Sequence, residues 1–319
     1  MEFTVCIPEH DPHLQCFRDV AEGVLWALGE LGHTAHDSPR PVAGSRPIYF
    51  GLPLGRIEPD AVLYNGEQVS PQSIWTARRL DQTYRNHIVW DYSPANAARY
   101  EQYGLPRPSV VRPGYCPLLE WHSPEIKKTH DVVFFGSNNE RRERALQQIE
   151  QLGLTLLRVP FGTYGAERDE LLSRAKLCLN IHFYERAIFE AVRCSYLAMG
   201  GLPVLSEISV DNEGAAYGMT GITYEQLGAY AAALIANPPG VGSPSQLEEL
   251  RATQAAAIKK VSLLEDVAAA LEALNHKTVT YASPVVSGIK FPHLTLSMIV
   301  KDEAAVIERC LASVKPYLK

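Results

Sequence analysis

The stretch NIHFYERAIFEAVRCSYLAMGGLPVLSE, residues 180–207, decides the fold. It begins at the end of an apolar run, LCLNI over 177–181, and passes through a charged loop. It then enters a segment in which Phe189, Val192, Tyr196 and Leu197 recur at helical steps. That spacing gathers the apolar side chains on one face of a helix, predicted over 188–199 and ended by Gly200 and Gly201. Residues 202–205 then return to a short apolar strand. Strand, loop, helix and strand in this order form a βαβ unit, and strands this apolar belong to a parallel sheet covered on both faces.

The same pattern extends outward in both directions. Upstream, DVVFF over 131–135 reads as a central strand and leads through Gly136, Ser137, Asn138 and Asn139 into a polar helix starting near Glu140. A further strand is predicted over 154–159, with helices over 166–174 and 224–236. At the N-terminus, FTVCIP over 3–8 is a strand. Leu14, Phe17, Val20, Ala21, Val24, Leu28 and Leu31 then mark an amphipathic helix that stops at Gly32. More strands are predicted over 48–50, 61–64, 88–90 and 110–112, and helices over 74–84 and 95–103.

Because the alternation restarts after the Pro- and charge-punctuated stretch 117–130, the predicted class is α/β with two Rossmann-like domains facing across a cleft. Their boundaries are 1–116 and 117–275. One long last helix is expected to carry Leu247, Leu250, Ile258, Val261, Leu264, Ala268, Leu271 and Leu274. Residues 276–292 read as a linker. Residues 293–319 read as one strand and one helix, too little to hold a core alone, so the chain is expected to stop just inside a third domain.

Composition narrows the function. The 319 residues carry a net charge of −6, which excludes a nucleic-acid binder held by bulk positive charge. With 46% hydrophobic and 21% charged residues, the chain can bury real cores. No apolar stretch approaches the ~20 residues of a membrane span, and the N-terminus lacks the pattern of a secretory signal, so a soluble, cytoplasmic chain is expected. Six scattered cysteines, with no Cys-x-x-Cys and no Cys/His pair at zinc spacing, predict reduced thiols and no metal site. The phosphate-binding motifs Gly-x-Gly-x-x-Gly and Gly-x-x-x-x-Gly-Lys-Ser/Thr are both missing, which removes the main support for a dehydrogenase or a kinase.

The 180–207 stretch resembles the donor-binding half of GT-B glycosyltransferases, particularly the small bacterial, group 1-like enzymes. There a strand ending in Asn-x-His or Asn-x-x leads to a helix with Phe-Glu-x-x-Arg, here residues 189–193, and then to Gly-x-Pro-Val-x-x-Glu, here 201–207. FFGSNNERR over 134–142 is similar to the glycine turn of that domain. VWDYSPANAARYEQYGLPRPSVVRPGY over 89–115 is similar to the end of the preceding one. The resemblance implies a glycosyltransferase whose donor is a nucleotide-diphosphate sugar bound by the second domain. Its acceptor would be a glycan or a protein side chain on the first, and no metal or other cofactor is expected. It makes Glu190 the ribose-binding carboxylate and Arg193 the phosphate contact, with Gly136, Ser137, His182 and Tyr184 as further donor contacts.

Helix geometry is compatible, since a helix N-terminus attracts anions and a carboxylate accepts from two vicinal hydroxyls. The same Glu190 and Arg193 also fit an ordinary i, i+3 pair on a solvated face. Retaining members of the class carry two glutamates eight residues apart, but the residue eight positions beyond Glu185 is Arg193, so stereochemistry is open. LSMIVKDEAAVIERCLASV over 296–314 is similar to the opening of family-2 glycosyltransferases of the GT-A fold, which implies a downstream GT-A domain as partner.

The loop EHDPH over 9–13 follows the first strand at the edge where open α/β sheets place ligands. A general base is needed there if the reaction inverts, and His13 and Asp11 are the catalytic candidates. Glu67 and Asp91, which also follow strands, are rivals as base or as acceptor-binding residues. The cluster Arg141, Arg142 and Arg144 suggests an anionic partner, and FGTYG over 161–165 offers two aromatic rings for stacking on a base. Two other readings stand beside transfer: a non-catalytic GT-B-like module that positions substrate for the GT-A domain, and a nucleotide-sugar epimerase of similar architecture.

Overall fold

A computed structural model of the chain describes residues 1–53, 56–70, 83–121, 126–237 and 244–276, all within one compact unit, Met1–Val279. Most of the helix predicted over 74–84, all but the first residue of the linker, and the whole of the segment compared with GT-A enzymes lie outside the described residues.

The first sheet is built from β1 (Glu2–Cys6), β2 (Thr34–Asp37), β3 (Arg46–Phe50), β4 (Val62–Asn65), β5 (Ile88–Asp91) and β6 (Ser109–Val110). Its order is β2-β1-β3-β4-β5-β6 and every pairing is parallel. The second contains β7 (His130–Phe134), β8 (Leu156–Arg158), β9 (Ala175–Asn180) and β10 (Val204–Ser206) in the order β10-β9-β7-β8, again all parallel. Each order reverses direction once, between β1 and β3 and between β7 and β9, and a crevice opens at the carboxyl ends of strands at such points.

Among the described residues, the helices of the first half are α1 (Arg18–Glu30) and α2 (Pro94–Tyr100). The second half adds α3 (Glu140–Gln151), α4 (Gly165–Ser173), α5 (Ala191–Met199) and α6 (Leu227–Ala236). Each of α2 and α3 starts on a side-chain cap: Ser93 Oγ accepts from Asn96 N at 3.1 Å, and Asn139 Oδ1 accepts from Arg142 N at 2.9 Å. Strand β2 went unpredicted because TAHD is a short, polar edge strand with no apolar run.

The expected single last helix is two, α7 (Gln246–Ile258) and α8 (Leu263–His276). The chain turns at 259–262, where Val261 O accepts Tyr115 N at 2.8 Å and Ser262 Oγ accepts Glu265 N at 3.1 Å to start the second helix. α8 leaves the second sheet and packs on α1 and β6. Glycine makes this approach close: a Cβ on Gly23 would lie 2.8 Å from Leu263, and one on Gly114 2.5 Å from Val261 O. Arg112 then clamps Asp266 through Nε at 2.7 Å and Nη2 at 2.8 Å. Among the described residues no helix is long and apolar enough to cross a membrane.

Asp91, fully buried at the end of β5, joins β4, β5 and α2. Its Oδ2 accepts from Asn65 Nδ2 at 2.7 Å, Tyr100 Oη at 3.0 Å and Asn96 Nδ2 at 3.4 Å, while Oδ1 accepts from Ser93 N at 3.0 Å. An amide at this position turns a donor toward donors, and an unsatisfied buried group costs about 1–3 kcal/mol. Asp91→Asn is therefore expected to lower unfolding free energy by about that amount in denaturant titration, with β4–β5 amides losing hydrogen-exchange protection.

Candidate active site

A cleft of about 370 Å³ lies between the carboxyl edges of the two sheets. The first sheet contributes His13, Phe17, Glu67 and Tyr92, and the second Gly136, Ser137, Arg142, Glu190 and Arg193.

Its charged floor is organised by Arg142, only 3% exposed. The guanidinium donates to Ile181 O at 2.8 Å, Ser137 O at 2.7 Å and Glu190 Oε1 at 3.1 Å. It thus ties the loop after β7, the loop after β9 and the start of α5 to one point. Burial, with Arg193 nearby, pulls its pKa down to about 10, so it stays charged at neutral pH. Glu190 occupies the N-cap position of α5, and its side chain makes no hydrogen bond to the helix amides. Its Oε2 lies 3.3 Å from Arg193 Nη1 and its Oε1 3.5 Å from His182 Nδ1. Burial raises this carboxyl, but Arg193, His182 and Arg142 together outweigh it and hold the group well below the usual carboxylate range.

Arg193 donates to Asn180 Oδ1 at 3.3 Å and lies over the Phe135 ring at 5.2 Å. Gly136 has φ +112°, and a Cβ there would sit 2.6 Å from Arg193 Nη2, so this glycine is required both by the turn and by the guanidinium. His182 is fully buried with neither ring nitrogen hydrogen-bonded, and it lies beneath Glu190 rather than in the cleft wall. Tyr184 lines the cleft and packs edge-on against Phe183. The structure therefore brings Gly136, Ser137, Tyr184, Glu190 and Arg193 to one cavity, with His182 behind them.

The N-terminal candidates separate. His13 lines the cleft and stacks on Phe161 of the second half, centroids 5.5 Å apart. Asp11 instead caps the turn Pro12–Phe17, its Oδ1 accepting His13 N at 2.9 Å. Asp91 serves the network described above. Of the arginine cluster, Arg144 is exposed, while Arg141 is bonded to Glu207 and to His182 O at 3.0 Å and lies over the Tyr224 ring. Arg142, missed as an individual site residue, had one available signal: it follows the helix N-cap Asn139 by three, the position whose amide the cap takes. Deeper in the cleft wall, Arg168 donates to Asp19 at 2.7 and 3.1 Å and stacks on Tyr196, joining α4 to α1.

No protein-family model matches the sequence. An uncharacterized protein of Acanthamoeba polyphaga mimivirus is 28% identical over 160 residues, 48% of this chain and 50% of its own length. A second uncharacterized mimivirus protein is 34% identical over 157 residues, 44% of this chain and 20% of that one. The chain thus spans half or less of the curated relatives it matches. Among solved structures, the Anabaena protein HepE in complex with UDP and glucose aligns with a TM-score of 0.55 at 14% identity, covering 86% of this chain and 99% of that one. A glycosyltransferase from Rickettsia africae gives 0.52 at 9% identity, covering 88% and 99%. The fold is that of GT-B-type glycosyltransferases. The segment 293–319 compared with GT-A enzymes lies outside the described residues.

Two outcomes test the floor of the cleft. Arg142→Ala takes one cationic partner from Glu190 and leaves two carbonyls without that donor, and breaking a buried pair of this kind costs about 3–5 kcal/mol, to be read from chemical denaturation. The depressed Glu190 pKa gives stability that is fully present above the unfolded value of about 4.3 and is lost as pH falls through the folded one. Glu190→Gln is therefore expected to lower the melting temperature at pH 7 and to narrow its gap to wild type on acidification.

Proposed function

We propose that the protein transfers a sugar from a nucleoside-diphosphate sugar to a glycan or protein acceptor without a metal ion. The observation that carries this reading is the Glu190 carboxylate held between Arg142 and Arg193 at the carboxyl edge of the second sheet, with Gly136 against the Arg193 guanidinium. Two guanidiniums against one carboxylate leave a net positive floor, which suits a diphosphate. Glu190, kept ionised by its neighbours, is an acceptor for the ribose hydroxyls. Gly136 and Ser137 give the donor a wall without a bulky side chain, and Tyr184 adds an aromatic surface.

In this reading the donor lies on the part spanning 117–275 and the acceptor on 1–116. The bond that breaks joins the sugar's anomeric carbon to the diphosphate, and charge then gathers on the leaving phosphate oxygens. Arg193 and Arg142 are fixed before that happens, one by Asn180 and Glu190, the other by two main-chain carbonyls. Prepositioned charges of this kind need no reorganisation during reaction, which is where electrostatic catalysis gains most. HepE was solved with UDP and glucose, which makes UDP the first nucleotide to try.

Calorimetry with UDP, GDP, dTDP and CMP, with and without Mg²⁺, tests the proposal. Selective binding of one nucleotide, indifferent to Mg²⁺ and weakened at least tenfold by Glu190→Ala and by Arg193→Ala, is the expected result. Failure of all four to bind would sink it.

A further inference from the structure

Behind the charged floor of the cleft, the buried polar side chains are bonded with one exception. Asn180 gives its Nδ2 to Ser206 Oγ at 3.0 Å and receives Arg193 Nη1 at 3.3 Å. Glu207 Oε2 accepts Arg141 Nη1 at 2.8 Å and the main-chain N of His182 at 2.9 Å. The exception is the His182 ring, which is fully buried while neither of its nitrogens has a hydrogen-bond partner among the described residues. Leaving a buried polar group in this state is costly, and native structures rarely keep one without a use.

The ring does not sit on a loose loop. Its main chain is held from both sides, the N–H by Glu207 and the carbonyl by Arg141 Nη1 at 3.0 Å. With the chain so fixed, Nδ1 stands 3.5 Å from Glu190 Oε1. That oxygen also accepts Arg142 Nη2 at 3.1 Å, while Oε2 lies 3.3 Å from Arg193 Nη1. The two carboxylate oxygens therefore differ: Oε1 is turned to the buried histidine, and Oε2 to an arginine that lines the cleft. Arg142 lines the cleft as well. A guanidinium drawn to a phosphate holds its carboxylate less firmly, whereas His182, buried behind Glu190, is out of a ligand's reach.

We infer that His182 is a positioning residue for the donor: its Nδ1–H closes on Glu190 Oε1 when a diphosphate engages the two arginines, and keeps the carboxylate aimed at the ribose hydroxyls. This rests on the donor reading above and adds to it the buried partner through which ribose is distinguished from deoxyribose. The movement is small, since a shift of about 0.7 Å brings the 3.5 Å pair to the length of a charge-assisted hydrogen bond.

Calorimetry compares UDP, GDP and CMP with their 2′-deoxy forms in wild type, His182→Leu and His182→Asn. The asparagine amide nitrogen stands two bonds from Cβ, as histidine Nδ1 does, and leucine has the same reach without a donor. Wild type is expected to favour the ribonucleotide about tenfold or more, the size of one hydrogen bond to a charged group. His182→Leu should bring that preference below about threefold, and His182→Asn should keep it within about threefold of wild type. A side chain that only fills space would weaken both nucleotides together and leave their ratio alone. Nitrogen-15 NMR of the wild type, with the ring assigned through bonds from its own amide, gives a readout that depends on no variant: in the ribonucleotide complex His182 Nδ1 is expected to carry a proton. A preference retained in His182→Leu, or lost equally in His182→Asn, overturns the inference while the donor reading stands. So does an Nδ1 without a proton in the complex, or a wild type that binds both forms alike. If the wild type binds no nucleotide, the donor reading itself has failed and the inference falls with it.

Discussion

A single guanidinium holds the second half of the molecule in working order. Arg142 reaches three acceptors on three different segments, two of them main-chain carbonyls at the ends of β7 and β9 and the third the carboxylate that opens α5. Only arginine presents donors in several fixed directions from one planar group. The loops that leave a parallel sheet at its switch point have no strand neighbour to bond with. Arg142 supplies those bonds, so the crevice is stiff where it would otherwise be loose. Its charge joins Arg193 and His182 in keeping Glu190 ionised, and Glu190 in turn pairs with Arg193.

The two sheets are tied together by the same kind of chemistry at greater distance. Arg168 and Asp19 join α4 to α1, and Glu213 accepts both Ser93 Oγ and Ala95 N at 2.7 Å at the start of α2. Gln68 adds a neutral link between one lip of the cleft and the other. These polar links sit beside apolar packing, since one buried core cluster includes side chains of both halves.

Much of the fold was legible in the sequence, since strands such as 131–135 carry an uninterrupted apolar signal and the helix after residue 188 carries a clear period. What escaped detection was set by tertiary partners. The polar edge strand β2 exists only because β1 pairs with it. The break between α7 and α8 exists because Tyr115 takes the carbonyl of Val261, a contact between residues far apart in sequence. In the site, the Glu190–Arg193 pair was readable from its i, i+3 spacing and their donor roles came only from the resemblance, while their partner Arg142 is 48 positions upstream of Glu190 and no local pattern joins them. Asp11 shows the reverse case: an ionisable residue in a promising loop whose role is to cap a turn.

The return of α8 to α1 makes the architecture interlocked rather than tandem. A cut in the connection after residue 121 would not release two intact halves. The first would lose the helix that covers Val20, Gly23 and Val24, and the second would trail a helix with its apolar side, Leu263, Val267 and Leu271, turned to water. Recombining halves between proteins of this fold therefore calls for two crossover points, one on each side of the donor half, with the last helix travelling alongside the residues that precede it by more than a hundred positions.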